Sequence, residues 1–194
     1  GKEVIVPIEK FGVKMVSIGF FVPPGQSLIW RGPLVSNGLT QLFRDTDWGE
    51  IDYMIVDFPP GTGDIQITTI QKLNLAGAVI VTTPQDVALS DARKAAAMFT
   101  NPDLNVPILG IVENMAWFTP AQHPDEKYFI FGTGGGEKMA AEFHTKLLGQ
   151  IPIVLEIRSV SDNGKTIYNQ PDKIVIETFD KISDQITELV KVKK

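Results

Sequence analysis

The run Tyr53-Met54-Ile55-Val56-Asp57-Phe58-Pro59-Pro60-Gly61-Thr62-Gly63-Asp64 constrains this chain more than any other stretch. An apolar segment leads straight into an aspartate, a proline pair and a Gly-Thr-Gly-Asp turn. It reads as a buried strand that delivers a carboxylate to its tip. Proline locks φ and has no N–H to offer a ladder, so Pro59 and Pro60 end the pairing, while Gly61 and Gly63 let the backbone turn with its amides bare. Bare amides in a tight turn suit phosphate oxygens.

In P-loop nucleotidases an aspartate so placed holds Mg²⁺, usually through water, and the turn after it senses the γ-phosphate. Asp57 is positioned for the first role and Gly61, Thr62 and Gly63 for the second. The plainer reading is a strand whose carboxylate caps the next helix. Two prolines and two glycines exceed what an ordinary strand-to-helix loop needs, which weighs toward phosphate.

With 194 residues, 43% of them hydrophobic, the chain suits one α/β domain, here residues 1–194. A net charge of −5 argues against nucleic acid as a partner, because neutralising phosphates takes a basic face. No apolar run approaches the roughly 18 residues of a membrane span and no signal-peptide pattern opens the chain, so the expected setting is cytoplasmic, with no membrane. There is no cysteine, which removes thiolate catalysis and cysteine-held metal or cluster sites from this chain. Two histidines, His123 and His144, make an all-protein zinc site a poor reading. The first residues start in mid-pattern, and the expectation is a piece of something longer.

Along the chain, short strands are expected at 4–8 and 14–18 around a turn at 10–12, and a helix at 34–43. After the 53–64 run come a helix at 65–75 and a buried strand at 78–81. A helix capped by Asp86 runs to Phe99, where Asn101-Pro102 stops it. A strand at 106–112 ends in Glu113-Asn114-Met115, and an irregular region at 117–128 follows. Further elements are a helix at 137–145, a strand at 147–151, a short helix at 154–160 and a long one at 173–190. Strands that are apolar throughout and alternate with helices predict an α/β fold, a mostly parallel sheet covered on both faces. Ligands in such folds sit at the carboxyl ends of strands, where Asp57, Thr82, Thr83 and Asn114 all fall.

No G-x-x-x-x-G-K-[ST] string occurs. Gly132-Thr133-Gly134-Gly135-Gly136-Glu137-Lys138 imitates it, but Glu137 intervenes before the lysine, so a connector and helix start is the better reading. Asn114 at a strand tip suits an adenine edge, since one amide both donates and accepts; the competing fate is a turn asparagine bonded to its own backbone. Gln150-Ile151-Pro152-Ile153 then walls the base. Arg31 beside Trp30 serves either a phosphate or subunit contact or a solvated stack. His123, Asp125 and Glu126 read as a solvated group ahead of a metal site.

Taken jointly, Trp30-Arg31-Gly32-Pro33, Asp57-Phe58-Pro59-Pro60-Gly61-Thr62-Gly63-Asp64, Thr82-Thr83-Pro84-Gln85-Asp86-Val87-Ala88-Leu89, Glu113-Asn114-Met115 and Gly149-Gln150-Ile151-Pro152 are specific. With Ser17-Ile18-Gly19-Phe20 and Trp48-Gly49-Glu50-Ile51-Asp52-Tyr53 they follow one another in family order. On them the chain resembles the Mrp family of MinD-like P-loop ATPases, the iron–sulphur cluster carriers. The resemblance implies a MinD-like P-loop fold truncated at its N-terminus, and an ATP-binding, ATP-hydrolysing homodimer that passes clusters to apo-protein acceptors. It implies that Asp57 serves Mg²⁺ and catalysis, Gly61 to Gly63 the γ-phosphate, and Asn114, Pro152 and Ile153 the adenine.

Two departures stand out. The family's P-loop lies upstream of Gly1, and its Cys-x-x-Cys pair falls where this chain has Ala116 to Ile130, without cysteine. Other readings are a MinD- or ParA-like switch for a membrane or scaffold, and a non-catalytic dimerisation module. The first of these wants a basic amphipathic C-terminal helix, which Glu177, Asp180, Asp184 and Glu188 dilute.

Overall fold

The computed structural model describes residues 4–21 and 33–190, with backbone alone over 33–36; Trp30 and Arg31 lie outside them. Contacts divide the chain into two units, residues 1–74 and 75–194.

In the first unit β1 (Ile8–Lys10) and β2 (Val13–Met15) form an antiparallel hairpin with Ile8 opposite Met15. Its turn residues, Phe11 at φ 57° and Gly12 at φ 75°, are both left-handed. That is the geometry whose twist matches a two-residue hairpin loop. The turn falls where the sequence puts it, but the strands are shorter, and Ile5 bridges to Thr46 instead. Helices α1 (Pro33–Arg44) and α2 (Asp64–Lys72) match the apolar spacing. Beyond α1, Thr46 Oγ1 donates to Leu42 C=O at 2.7 Å and Trp48 Nε1 to Phe43 C=O at 3.2 Å, closing the helix end with side chains.

The strand expected at Tyr53 to Asp57 is not formed. Residues 53–59 run as irregular chain, and Ile55 is 94% exposed. An apolar run becomes a strand only when a neighbour takes its N–H and C=O groups, and this one has no ladder partner among the described residues.

The second unit holds a parallel sheet in the order β3-β4-β5: β3 (Ala78–Thr82), β4 (Ile108–Phe118) and β5 (Leu147–Ile153). Helix α3 (Asp86–Phe99) links β3 to β4, and α4 (Gly135–Glu142) links β4 to β5. Gln85 occupies the N-cap of α3, one residue before the Asp86 that the sequence suggests. After β5 come α5 (Leu155–Asp162) and α6 (Lys173–Leu189). Side chains alternate across a strand, so helices cover both faces. Val112, Leu148 and Ile151 form a buried cluster with Ile182 of α6, while Glu113 points to α4. The fold is α/β with a parallel sheet, as the sequence indicates. Among the described residues no helix is long and apolar enough to cross a membrane.

The longest helix has a side-chain cap. Asp172 accepts from Ile174 N at 2.9 Å and Val175 N at 3.2 Å, satisfying two of the donors that a helix start leaves open. Val175 just inside is fully buried, so fraying here also loosens core packing. Asp172→Ala is therefore expected to lower stability by about 1 kcal/mol. A urea midpoint shift at unchanged slope is the check.

Candidate functional site

The carboxyl ends of β4 and β5 come together as the parallel register requires. Glu113 stands opposite Gln150 and Asn114 opposite Ile151, after which the pairing shifts until Phe118 meets Ile153. The shift has a visible cause in Met115, whose φ of 55° is left-handed for a residue with a side chain. The strand thus continues past Glu113-Asn114-Met115, where the sequence suggests an end.

Asn114 is half-buried, Pro152 is buried and Ile153 half-buried. Asn114 Oδ1 accepts from Met115 N at 2.9 Å, so the turn role that competes for this residue is realised in part. That bond uses the carbonyl alone. The Nδ2 donors point to no partner among the described residues, which leaves them for an acceptor such as a base nitrogen. The arrangement leaves an amide donor at the joined strand tips, with Pro152 and Ile153 following Ile151 on β5.

Behind this edge lies a residue that sequence reasoning passed over. Glu113 is 1% exposed, and its Oε2 accepts from Gly136 N at 2.5 Å while its Oε1 accepts from Gln150 Nε2 at 2.7 Å. Leaving such a buried group unpaired costs about 1–3 kcal/mol, more when it is charged, so the two bonds account for its burial. Gly136 belongs to the glycine run 132–136, and the structure shows what that run is for. Gly134, at φ 74°, caps α4, and a Cβ on Gly136 would lie 2.9 Å from Glu113 Cβ and Leu147 Cδ1. The run is a helix start under close packing, and Glu113 occupies its Gly136 amide.

The first unit holds the other candidates. Asp57 is exposed, and so are Gly61, Thr62 and Gly63. Gly61 takes φ 104° and Gly63 is the N-cap of α2. Gln66, 5% exposed, donates through Nε2 to Pro59 C=O at 3.0 Å and to Pro60 C=O at 3.1 Å. This amide pins both prolines to the first turn of α2, and only a contact seven residues back reveals it. Thr82 is buried at the end of β3, in register with Glu113.

Residues 1–187 match the ParA-type family described as NUBPL iron-transfer P-loop NTPase. This chain belongs to that family. An iron-sulfur cluster carrier protein of Synechocystis is 46% identical over 95% of the chain and 52% of its own length. The iron-sulfur cluster transfer protein NUBPL of Dictyostelium discoideum is 43% identical over 97% of the chain and 58% of its own length. The chain thus spans about half the length of the curated relatives it matches. Among solved structures, a nucleotide-binding protein from Archaeoglobus fulgidus in complex with ADP superposes with a TM-score of 0.72. It is 32% identical, over 89% of this chain and 66% of that one.

For a NUBPL-family chain the interval 116–130 matters because the resemblance places cluster thiolates there. Its ends are joined by an antiparallel bridge between Phe118 and Tyr128, with backbone bonds of 2.9 and 2.8 Å. Lys127 Nζ lies 4.0 Å from the Trp117 ring centre. Tyr128 OH donates a hydrogen bond to Glu126 Oε2, which favours the protonated phenol and holds it above the usual tyrosine range, with a smaller push from burial. His123 Nδ1 is 3.4 Å from Glu126 Oε1. These are hard oxygen and imidazole donors, already turned on one another, and iron–sulphur clusters prefer thiolate. Among the described residues no group of three or more histidines and carboxylates is set to hold a metal. The donor set of this interval does not fit a cluster.

Proposed function

We propose that this chain supplies the adenine-binding and phosphate-sensing elements of an ATP-hydrolysing iron–sulphur cluster transfer protein. In this reading it acts as a cytoplasmic homodimer that delivers clusters to apo-proteins. Asn114 reads the base, Pro152 and Ile153 wall it, Gly61 to Gly63 respond to the γ-phosphate and Asp57 faces Mg²⁺. The observation that carries the reading is the Asn114 amide at the joined tips of β4 and β5, whose donors meet no partner among the described residues. The ADP named with the Archaeoglobus structure supports a purine nucleotide.

The chemistry of this chain's own residues is binding and sensing. When Asn114 donates to the base, discrimination comes from hydrogen bonding, which rejects a wrong edge more strongly than shape alone. Mg²⁺, when bound, neutralises phosphate charge beside Asp57. Gly61 to Gly63 would offer backbone amides to the phosphate, and the Gln66 amide keeps their turn seated on α2. Cluster transfer, in this reading, uses no cluster ligand from residues 116–130.

Calorimetry on the full-length protein tests the reading. ADP is expected to bind at least about tenfold more tightly than GDP, a difference of about 1.4 kcal/mol. Asn114→Ala is expected to remove most of that preference. Equal affinity for ADP and GDP in the unaltered protein would overturn the assignment.

A further inference from the structure

We infer that Glu113 is the positioning residue of the base site: its buried carboxylate clamps the tips of β4 and β5 to the start of α4 and so fixes where Asn114 stands. The inference rests on the adenine reading of Asn114 and adds the group that sets its position. Three elements meet at one side chain. Glu113 stands on β4, Gln150 on β5 opposite it, and Gly136 in the first turn of α4. Both carboxylate oxygens are used, at 2.5 and 2.7 Å, which leaves no slack for the side chain to swing.

The placement of the clamp along the strand is what gives it leverage. The rung between Glu113 and Gln150 is the second last before the register breaks between Asn114 and Phe118. Beyond that point Met115 turns left-handed and the ladder no longer holds the strands in step. Asn114 therefore stands at the last rung before the break, next to a side-chain tie on the opposite face. Alternation makes Glu113 point away from the side that Asn114 presents, so Glu113 acts through the backbone and need not touch the base. The packing at Gly136 agrees, since its missing Cβ lets the helix amide approach the carboxylate.

Glutamine at 113 keeps the shape and can accept from Gly136 while donating to a rotated Gln150 amide; alanine removes both arms. In the full-length protein Glu113→Ala is expected to weaken ADP binding about tenfold and to shrink the ADP over GDP preference. Glu113→Gln is expected to stay within about threefold of the unaltered protein. Amide exchange of Gly136 gives an independent readout, expected to speed up about tenfold in the alanine variant alone. A folded Glu113→Ala protein with unchanged ADP affinity overturns the inference, and a glutamine variant as weak as alanine replaces it with a demand for charge. Should Glu113→Ala not fold, Gln150→Leu cuts one arm and keeps the bond to Gly136 N, and unchanged ADP affinity there has the same overturning force. Should the unaltered protein not distinguish ADP from GDP, the adenine reading falls by itself. Gly136 exchange then judges the clamp, and an unchanged rate in Glu113→Ala rejects it.

Discussion

Asp57→Asn is expected to slow the Mg²⁺-dependent ATP hydrolysis proposed above about a hundredfold, some 2.7 kcal/mol in barrier, while leaving stability within about 0.5 kcal/mol. The two halves of that result have different causes. Stability is spared because Asp57 is exposed and makes no hydrogen bond or ion pair among the described residues, in an irregular segment where no ladder depends on it. Turnover suffers because asparagine keeps the shape but removes the negative charge that a divalent cation needs beside it. Phosphate release measured across a magnesium titration, beside urea unfolding of the same preparation, separates them. Hydrolysis at the original rate and the original magnesium dependence would take Asp57 out of the site.

The second large effect concerns packing near the start of β4. A Cβ on Gly110 would lie 2.4 Å from Leu148 Cγ and 2.8 Å from both of its methyl carbons. Leu148 is 4% exposed and sits in the cluster with Val112, Ile151 and Ile182, so it has nowhere to retreat. Gly110→Ala is expected to cost about 3 kcal/mol, at the upper end for overpacking. Leu148→Ala alone opens a cavity and is expected to cost a similar amount. Because each change relieves the other, the double variant is expected to lose clearly less than the sum. Urea midpoints for the four proteins check this, and a single Gly110→Ala loss below about 0.5 kcal/mol contradicts the contact.

Where sequence and structure agree, the signal was local. Ala78–Thr82 is an apolar run bounded by turn residues, Leu147–Ile153 opens on the Leu147-Leu148 pair, and α3 ends where Asn101 and Pro102 say it must. Tyr53 to Asp57 carries the same signature and is no strand, because the pattern encodes a wish for burial and not the identity of a ladder partner. The continuation of β4 through Met115 was hidden for the opposite reason. A left-handed methionine is a tertiary outcome that propensity does not announce. Asn114 was legible as a strand-tip amide, whereas Glu113 beside it looked like any acid before a loop. Its meaning comes from Gly136 and Gln150, 23 and 37 residues away, and no short window contains them.

The bridge from Phe118 to Tyr128 turns the intervening residues into an exchangeable cassette. Both ends of the cassette are moored by main-chain bonds, so new side chains inserted between them start and finish at fixed points. Doubling the length of such a closed loop adds only about 0.6 kcal/mol of closure entropy. Residues 119–127 can accordingly change their chemistry while the strand that carries Asn114 keeps its geometry.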